Sequence, residues 1–414
     1  MQQIDKAEIQ QQLIERGIDP NHIKALHIKI KNGQLNERSF VLEKTSLKAP
    51  TSKNIINYNK INTKNNLDHG IKLLQNDNLL VFWLNGGAAT RYFNKRKIKP
   101  AEATRYAKAL AAITPVMTNL PKGITPVVAK LSYLELNIRN LLHITKQYQL
   151  PVHPQVVLMN SFITDQPTRN HLQSLFKKYP NLQPNRFHYL VQQPTIPRFQ
   201  AATELKNIDL FVDTHGELSW APCGHGDFVY LLQDYLKQNL LAPAKYLFFS
   251  NIDNLGATID PVLLGQHATA QLGRTVELAR KEIGDTGGVP CFVNNQLMIV
   301  EQMKFPKTFN WSAIPWFNTN TFWFTLKDLL AFKEDLPLVL AEKTISTGTV
   351  LQLERFACDV TLPSEYIEVP RTQRFWPIKR YVDALIYQDT NSKTPFYKNF
   401  TALLKNSYNI SGAS

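Results

Sequence analysis

The sequence predicts an α/β fold, a mostly parallel Rossmann-like sheet flanked by helices. Three observations predict it. Continuous apolar runs such as Leu79-Leu80-Val81-Phe82-Trp83-Leu84 have the length and content of buried parallel strands. From Asn78 onward these runs alternate with amphipathic helical segments, which implies a sheet covered on both faces. The residues just past the runs are rich in glycine, asparagine and aspartate, and the carboxyl ends of strands are where such sheets bind ligands.

Taken in order, residues 1–75 read as an N-terminal accessory region: a polar helix in MQQIDKAEIQQQLIERG, a hairpin in ALHIKIKNGQLNERSFVLEK, then an Asn/Lys-rich stretch. Residues 76–370 form the main body, with strands expected at Leu79–Leu84, Gln155–Met159, Tyr246–Ser250, Leu297–Glu301 and Thr321–Thr325. The clearest helix begins at Ser132, where Ser132 and Glu135 make a capping box and Leu134, Ile138, Leu141 and Leu142 supply an apolar stripe. Residues 371–414 form a C-terminal segment.

A chain of 414 residues can bury a large core, and no apolar window approaches the length of a membrane span. The N-terminus lacks the plan of a signal peptide, and three cysteines (Cys223, Cys291, Cys358) are too few and too scattered for a disulfide framework or a zinc site. A soluble cytoplasmic protein is the expectation. The formal net charge of +14 fits a nucleic-acid partner, a membrane surface or an anionic substrate. Much of it lies in the segment 91–120: Arg91, Lys95, Arg96, Lys97, Lys99, Arg105 and Lys108 stand against a lone Glu102. No nucleic-acid fold motif accompanies them, so a nucleic-acid partner is not expected and a solvated helix face is the plain reading.

The strand ends carry the chemistry. After the first strand comes NGGAATR, where Gly86 and Gly87 permit a tight turn and close approach of a phosphate, with Thr90 and Arg91 beyond; the plain alternative is a turn. After the third comes SNIDNLGA, whose Asp253 is placed to hold a hard cation or, equally, to make an Asx turn. APCGHGD, TGG, IVEQ, FNTN and RFWPIK complete the series.

In that order, LNGG, APCGHGD, SNIDNLGA and FNTNTFW resemble the UTP–glucose-1-phosphate uridylyltransferase (UDP-glucose pyrophosphorylase) family, from about Leu79 to Lys379. The likeness is nearest to bacterial members with an LNGGxATR loop. It implies a GT-A-like nucleotidyltransferase sheet in 76–370 and an Mg²⁺-dependent reaction of UTP with glucose 1-phosphate. It implies nucleotide contacts at Leu84, Asn85, Gly86, Gly87, Thr90, Gln193 and Gly224. Sugar-phosphate contacts fall at His225, Asn251, Gly288, Glu301, Asn318 and Asn320. Lys122, Arg91 and Lys379 become the phosphate-neutralising cations, and Asp253 the metal ligand. Only 35 residues follow Lys379 (414 − 379), so the family's eukaryotic C-terminal β-helix domain is not expected, and the 92–120 insertion is expected to form a flap near the phosphates.

Other readings stay open at this stage. They are a UDP-sugar or UDP-N-acetylhexosamine pyrophosphorylase and a non-catalytic binding protein on the same fold. A dinucleotide oxidoreductase is excluded, because NGGAATR is not GxGxxG and no acidic ribose ligand follows.

Overall fold

Successive residues of Leu79–Leu84 point to opposite faces of a sheet, and both faces are buried. Leu79, Val81 and Trp83 belong to one core, Leu80 and Phe82 to the other. The computed structural model describes residues 6–35, 42, 46–87, 92–93, 98–113, 115–118, 120–193, 195–202, 204–213, 215–238, 244–282, 285, 287–345, 348–391 and 396–410. Its central sheet has eight strands: β1 (Ile56–Asn57), β2 (Leu79–Leu84), β3 (Gln155–Ser161), β4 (Phe187–Gln192), β5 (Tyr246–Asn251), β6 (Arg274–Arg280), β7 (Trp316–Thr325) and β8 (Ser364–Glu368).

The spatial order is β1-β8-β6-β7-β5-β2-β3-β4. All neighbours run parallel except β7, which is antiparallel to both β5 and β6. The chain therefore leaves β2 toward β3 and β4, then returns to build β5 on the other side of β2. That reversal is a topological switch point, where the carboxyl ends of β2 and β5 diverge and a ligand crevice forms.

Helices cover the first face. Leu134, Ile138 and Leu141 of the Tyr133–Gln147 helix, with Phe400 and Leu404 of Phe396–Tyr408, pack on Val81, Val156 and Phe248. The second face is covered by Phe228 and Leu232 of the Phe228–Gln238 helix and by the hairpin Val289–Val293/Gln296–Val300. A third cluster joins Ile23, Leu26 and Ile30 to Phe199, Trp220 and Leu353. Among the described residues no helix is long and apolar enough to cross a membrane.

Several expectations change here. The hairpin expected from ALHIKIK is instead a helix, Pro20–Lys31, capped by Asp19 and opened by proline. Its apparent alternation, HIKIK, is overridden because Ile23, Leu26 and Ile30 share one helical face that packs on the third cluster. The rest of that hairpin, from 36 to 41, lies outside the described residues.

The strand containing Leu297 belongs to its own three-stranded sheet, not to the central one, and Glu301 falls just after it. Ser132 does cap its helix, accepting from the Glu135 N–H at 3.1 Å. The Glu135 carboxylate, however, is drawn away to Lys178 Nζ and Tyr179 Oη, both at 2.6 Å, so the reciprocal half of the box is not made. Residues 46–75 are built into the main body: β1 pairs with β8, and Asn66 of the Lys64–Gln75 helix donates to Gln266 at 3.1 Å.

Candidate active site

The tips of β2 and β5 are tied to each other and to β3 before any ligand chemistry is considered. Ile252 N–H donates to Leu84 O at 3.2 Å, and Asn85 N–H donates to Met159 O at 2.8 Å. The Asn85 amide donates to Asn160 Oδ1 at 2.7 Å and Thr168 Oγ1 at 3.0 Å, while its Oδ1 is buried without a hydrogen-bond partner among the described residues. Asn85 is thus a strut of the switch point. Gly86 and Gly87 follow it, and Gly87 O accepts from Lys122 N–H at 3.0 Å. Thr90 and Arg91 lie outside the described residues.

That backbone bond delivers Lys122 to Asp253, with which it forms an ion pair across the switch point. The pair is partly exposed, 15 % for the lysine side chain and 23 % for the aspartate. Beneath the ammonium lie the rings of Tyr92 and Tyr133, with centroids at 5.6 and 5.9 Å. Neither tyrosine was legible as part of the site. Tyr133 was detectable only as the first residue of a capped helix.

RFWPIKR, which reads as a run of solvated cations, is sorted residue by residue. Arg374 is buried and grips Glu277 of β6 with two bonds, at 2.9 and 2.6 Å. Trp376 N–H donates to Asn254 Oδ1 at 2.8 Å, and Ile378 N–H donates to Asp253 O at 3.2 Å. Arg380 is held by Asp383 and Glu102. Lys379 alone of the three charged residues in this stretch is exposed, on backbone pinned beside Asp253.

A second group of predicted residues forms a continuous hydrogen-bonded chain. Asn318 N–H donates to Gly288 O at 2.8 Å, Asn320 N–H to Asn318 Oδ1 at 3.1 Å, and Asn320 Nδ2 to Asn251 Oδ1 at 3.0 Å. Asn320 has φ +56° in the middle of β7, opposite an interruption of the β6 register between Val276 and Leu278. Such a bulge re-aims side chains, and asparagine is among the few residues that tolerate the conformation. Gly288 lets Glu301 close in: a Cβ there would sit 2.9 Å from Glu301 Oε1 and 2.7 Å from Ile299 Cγ2. Burial pushes the Glu301 carboxyl above its ordinary pKa, against the pull of Lys304.

Gly224 and His225 dock on the segment after Glu354. Gly224 has φ +83°, and a Cβ would meet Arg355 O at 2.6 Å, so this turn requires glycine irrespective of any base. His225 Nδ1 accepts the Ala357 N–H at 3.0 Å, and burial pushes its pKa down to about 4. The neighbouring Cys358 Sγ lies 3.6 Å from Glu301 Oε1, so one turn brings His225 and Glu301 together. Gln193 is exposed. Its neighbour Gln192 is the buried one, donating to Gly224 O at 2.6 Å and Asp227 Oδ2 at 3.0 Å.

Among the described residues no cluster of three His, Cys, Asp or Glu could hold a metal. Asp253 instead fits a cation that completes its shell with phosphate oxygens and water.

An α/β sheet with a glycine turn and a partly exposed lysine–aspartate ion pair at its switch point defines a ligand-binding crevice of the doubly wound class. The comparisons narrow this. A family model described as UTP–glucose-1-phosphate uridylyltransferase matches residues 113–399, and the chain belongs to that family. UTP–glucose-1-phosphate uridylyltransferase of Encephalitozoon cuniculi is 28 % identical over 283 residues, 65 % of this chain and 54 % of that one. The enzyme of the same name from Musa acuminata is 26 % identical over 403 residues, 92 % of this chain and 77 % of the other. The chain spans about half the length of the first of these relatives.

A UDP-glucose phosphorylase structure from Trypanosoma brucei is 25 % identical with a TM-score of 0.67, covering 91 % of this chain and 77 % of that one. A UDP-N-acetylglucosamine pyrophosphorylase from the same organism, at 16 % identity and TM-score 0.66, shares the fold, covering 91 % and 75 %. These relatives are eukaryotic, so the expected closeness to bacterial LNGGxATR members finds no support in them.

Proposed function

We propose that the chain makes UDP-glucose and pyrophosphate from UTP and glucose 1-phosphate. The observation that carries the reading is the meeting of Lys122, Asp253 and the Ile378 backbone, one residue before Lys379, at the β2/β5 switch point. A phosphate oxygen of glucose 1-phosphate attacks the α-phosphorus of UTP in line, the bond to the bridging oxygen breaks, and pyrophosphate leaves with that oxygen. No covalent enzyme intermediate is needed. Lys122 and Lys379 neutralise charge that builds on the phosphates, and the backbone of Gly86 and Gly87 lets the triphosphate approach. Gly288, Glu301, Asn318 and Asn251 meet the sugar hydroxyls, with His225 beside its phosphate. Asp253 would hold Mg²⁺, which when bound adds positive charge at the α-phosphate. Gln193, on the surface beside Gln192, would read the uracil edge.

The fold alone is shared with an N-acetylglucosamine pyrophosphorylase, so sugar choice is the point to test. The experiment is pyrophosphate release from UTP and Mg²⁺ with glucose, galactose and N-acetylglucosamine 1-phosphates in parallel. Release with glucose 1-phosphate at the highest kcat/KM is the expected result. Preference for the N-acetylated sugar would overturn the glucose assignment, and no release with any of the three would overturn the activity.

A further inference from the structure

The described residues of the insertion grip the C-terminal segment at three places. Tyr92 O accepts from Tyr381 N–H at 2.9 Å, and the rings of Tyr92 and Phe93 pack on Tyr381 at 5.9 and 5.5 Å. The Glu102 carboxylate takes both terminal nitrogens of Arg380, at 3.0 and 3.3 Å. Asp389 accepts from Arg105 Nε at 2.5 Å and Tyr106 Oη at 2.7 Å. Glu102 and Asp389 are largely covered, with 15 % and 10 % of their side chains exposed.

These ties all fall just after Lys379. Just before it, Ile378 is bonded to Asp253 and Arg374 is locked to Glu277. Lys379 is therefore bracketed on both sides, by the sheet upstream and by the insertion downstream. Tyr92 also lies under the Lys122 ammonium, so one residue of the insertion touches both phosphate-facing arms.

We propose that the insertion is a clasp that positions Lys379, with Glu102, Arg105, Tyr106 and Asp389 as positioning residues for phosphate binding. The inference rests on the reading of Lys379 as a phosphate ligand. Partly exposed ion pairs contribute little to stability one by one. What two of them and the Tyr92–Tyr381 contact do together is restrict where that segment sits, which spares the ordering of a long cationic side chain when the polyanion arrives.

The test compares the full-length wild type with Glu102→Gln, Asp389→Arg and the charge-swapped pair Arg105→Asp/Asp389→Arg. Readouts are KM for UTP and for pyrophosphate in the reverse direction, KM for glucose 1-phosphate, thermal midpoint, and amide exchange across residues 378–388. Expected are a rise of about tenfold in the UTP and pyrophosphate KM values of the single variants, faster exchange in that segment, an unmoved glucose 1-phosphate KM, and recovery in the swapped pair. Unchanged UTP and pyrophosphate KM, or equal losses for all three ligands with a lowered midpoint, would overturn the clasp. If the wild type turns over no sugar phosphate, the functional reading fails separately. Exchange then decides: faster in the single variants and restored in the swap supports the clasp, and unchanged exchange overturns it.

Discussion

The end of the candidate site proposed to take phosphates and the end proposed to take the sugar are built from opposite electrostatic material. At the phosphate end, Lys122 and Asp253 neutralise each other while still touching solvent, and Lys379 stands exposed. At the sugar end, Glu301 is packed against Gly288 and Cys358, its carboxyl raised by burial and by the nearby Asp359, itself raised by burial. The difference teaches how two kinds of recognition would be housed side by side, one at the switch point of the central sheet and one at the neighbouring hairpin. Charges proposed to trade partners with a polyanion keep contact with water, which screens them during the exchange. A carboxyl proposed to meet neutral hydroxyls is instead packed closely against Gly288 and Cys358, in a seat whose geometry discriminates.

The largest expected effect breaks the phosphate end. Asp253→Ala should lower kcat for pyrophosphate release by about 10³-fold or more, with little change in thermal midpoint because the lost ion pair is partly exposed. Retention of more than a tenth of the rate would remove Asp253 from the site. Lys122→Ala follows, with an expected loss of about 10²- to 10³-fold in kcat/KM, read by the same assay; a loss confined to the glucose 1-phosphate KM would contradict the division of labour.

At the sugar end, Gly288→Ala should raise the glucose 1-phosphate KM by about tenfold, since the new methyl must displace Glu301 or Ile299. UTP affinity, measured by titration, should hold; a parallel loss of UTP binding would mean that the two ends are not separable.

The smallest effect is a pH-linked one. A carboxyl raised in the folded state binds protons more tightly there than in the unfolded chain, so it costs stability as pH rises through its unfolded pKa, about 4.3, toward its folded value. Glu301→Gln removes that cost. The midpoint of the variant minus that of wild type should therefore increase as pH is raised from about 4 to 7. A flat or falling difference in thermal melts would show that burial does not raise the Glu301 carboxyl.

The same two ends explain what could be read ahead of the structure. The buried runs that became β2, β3 and β5 were legible because each is apolar on both faces, a local property. The tips NGG and SNIDN were legible because they directly follow apolar runs that read as buried strands and recur in a fixed order along the chain. β6 was not. RTVELAR alternates charge with apolar residues and resembles an exposed segment, yet Glu277 is fully buried. Its charge is matched by Arg374, a residue 97 positions away. HIKIK misled for the converse reason: its alternation is compatible with a strand until a neighbouring cluster supplies a surface for a helical face.

The sequence by itself determined the sheet-and-helix class, the strand-end motifs and the residue types available for phosphate and hydroxyl chemistry. Those follow from composition and spacing over short windows, where backbone preference and burial patterning act. Tertiary structure decided which cations are spent. Arg374 and Arg380 are consumed by Glu277, Glu102 and Asp383, and Lys122 is matched to Asp253, while Lys379 is left exposed. Pairing is a property of two distant points brought together at a cost in chain entropy, and neither point carries a local mark of the other.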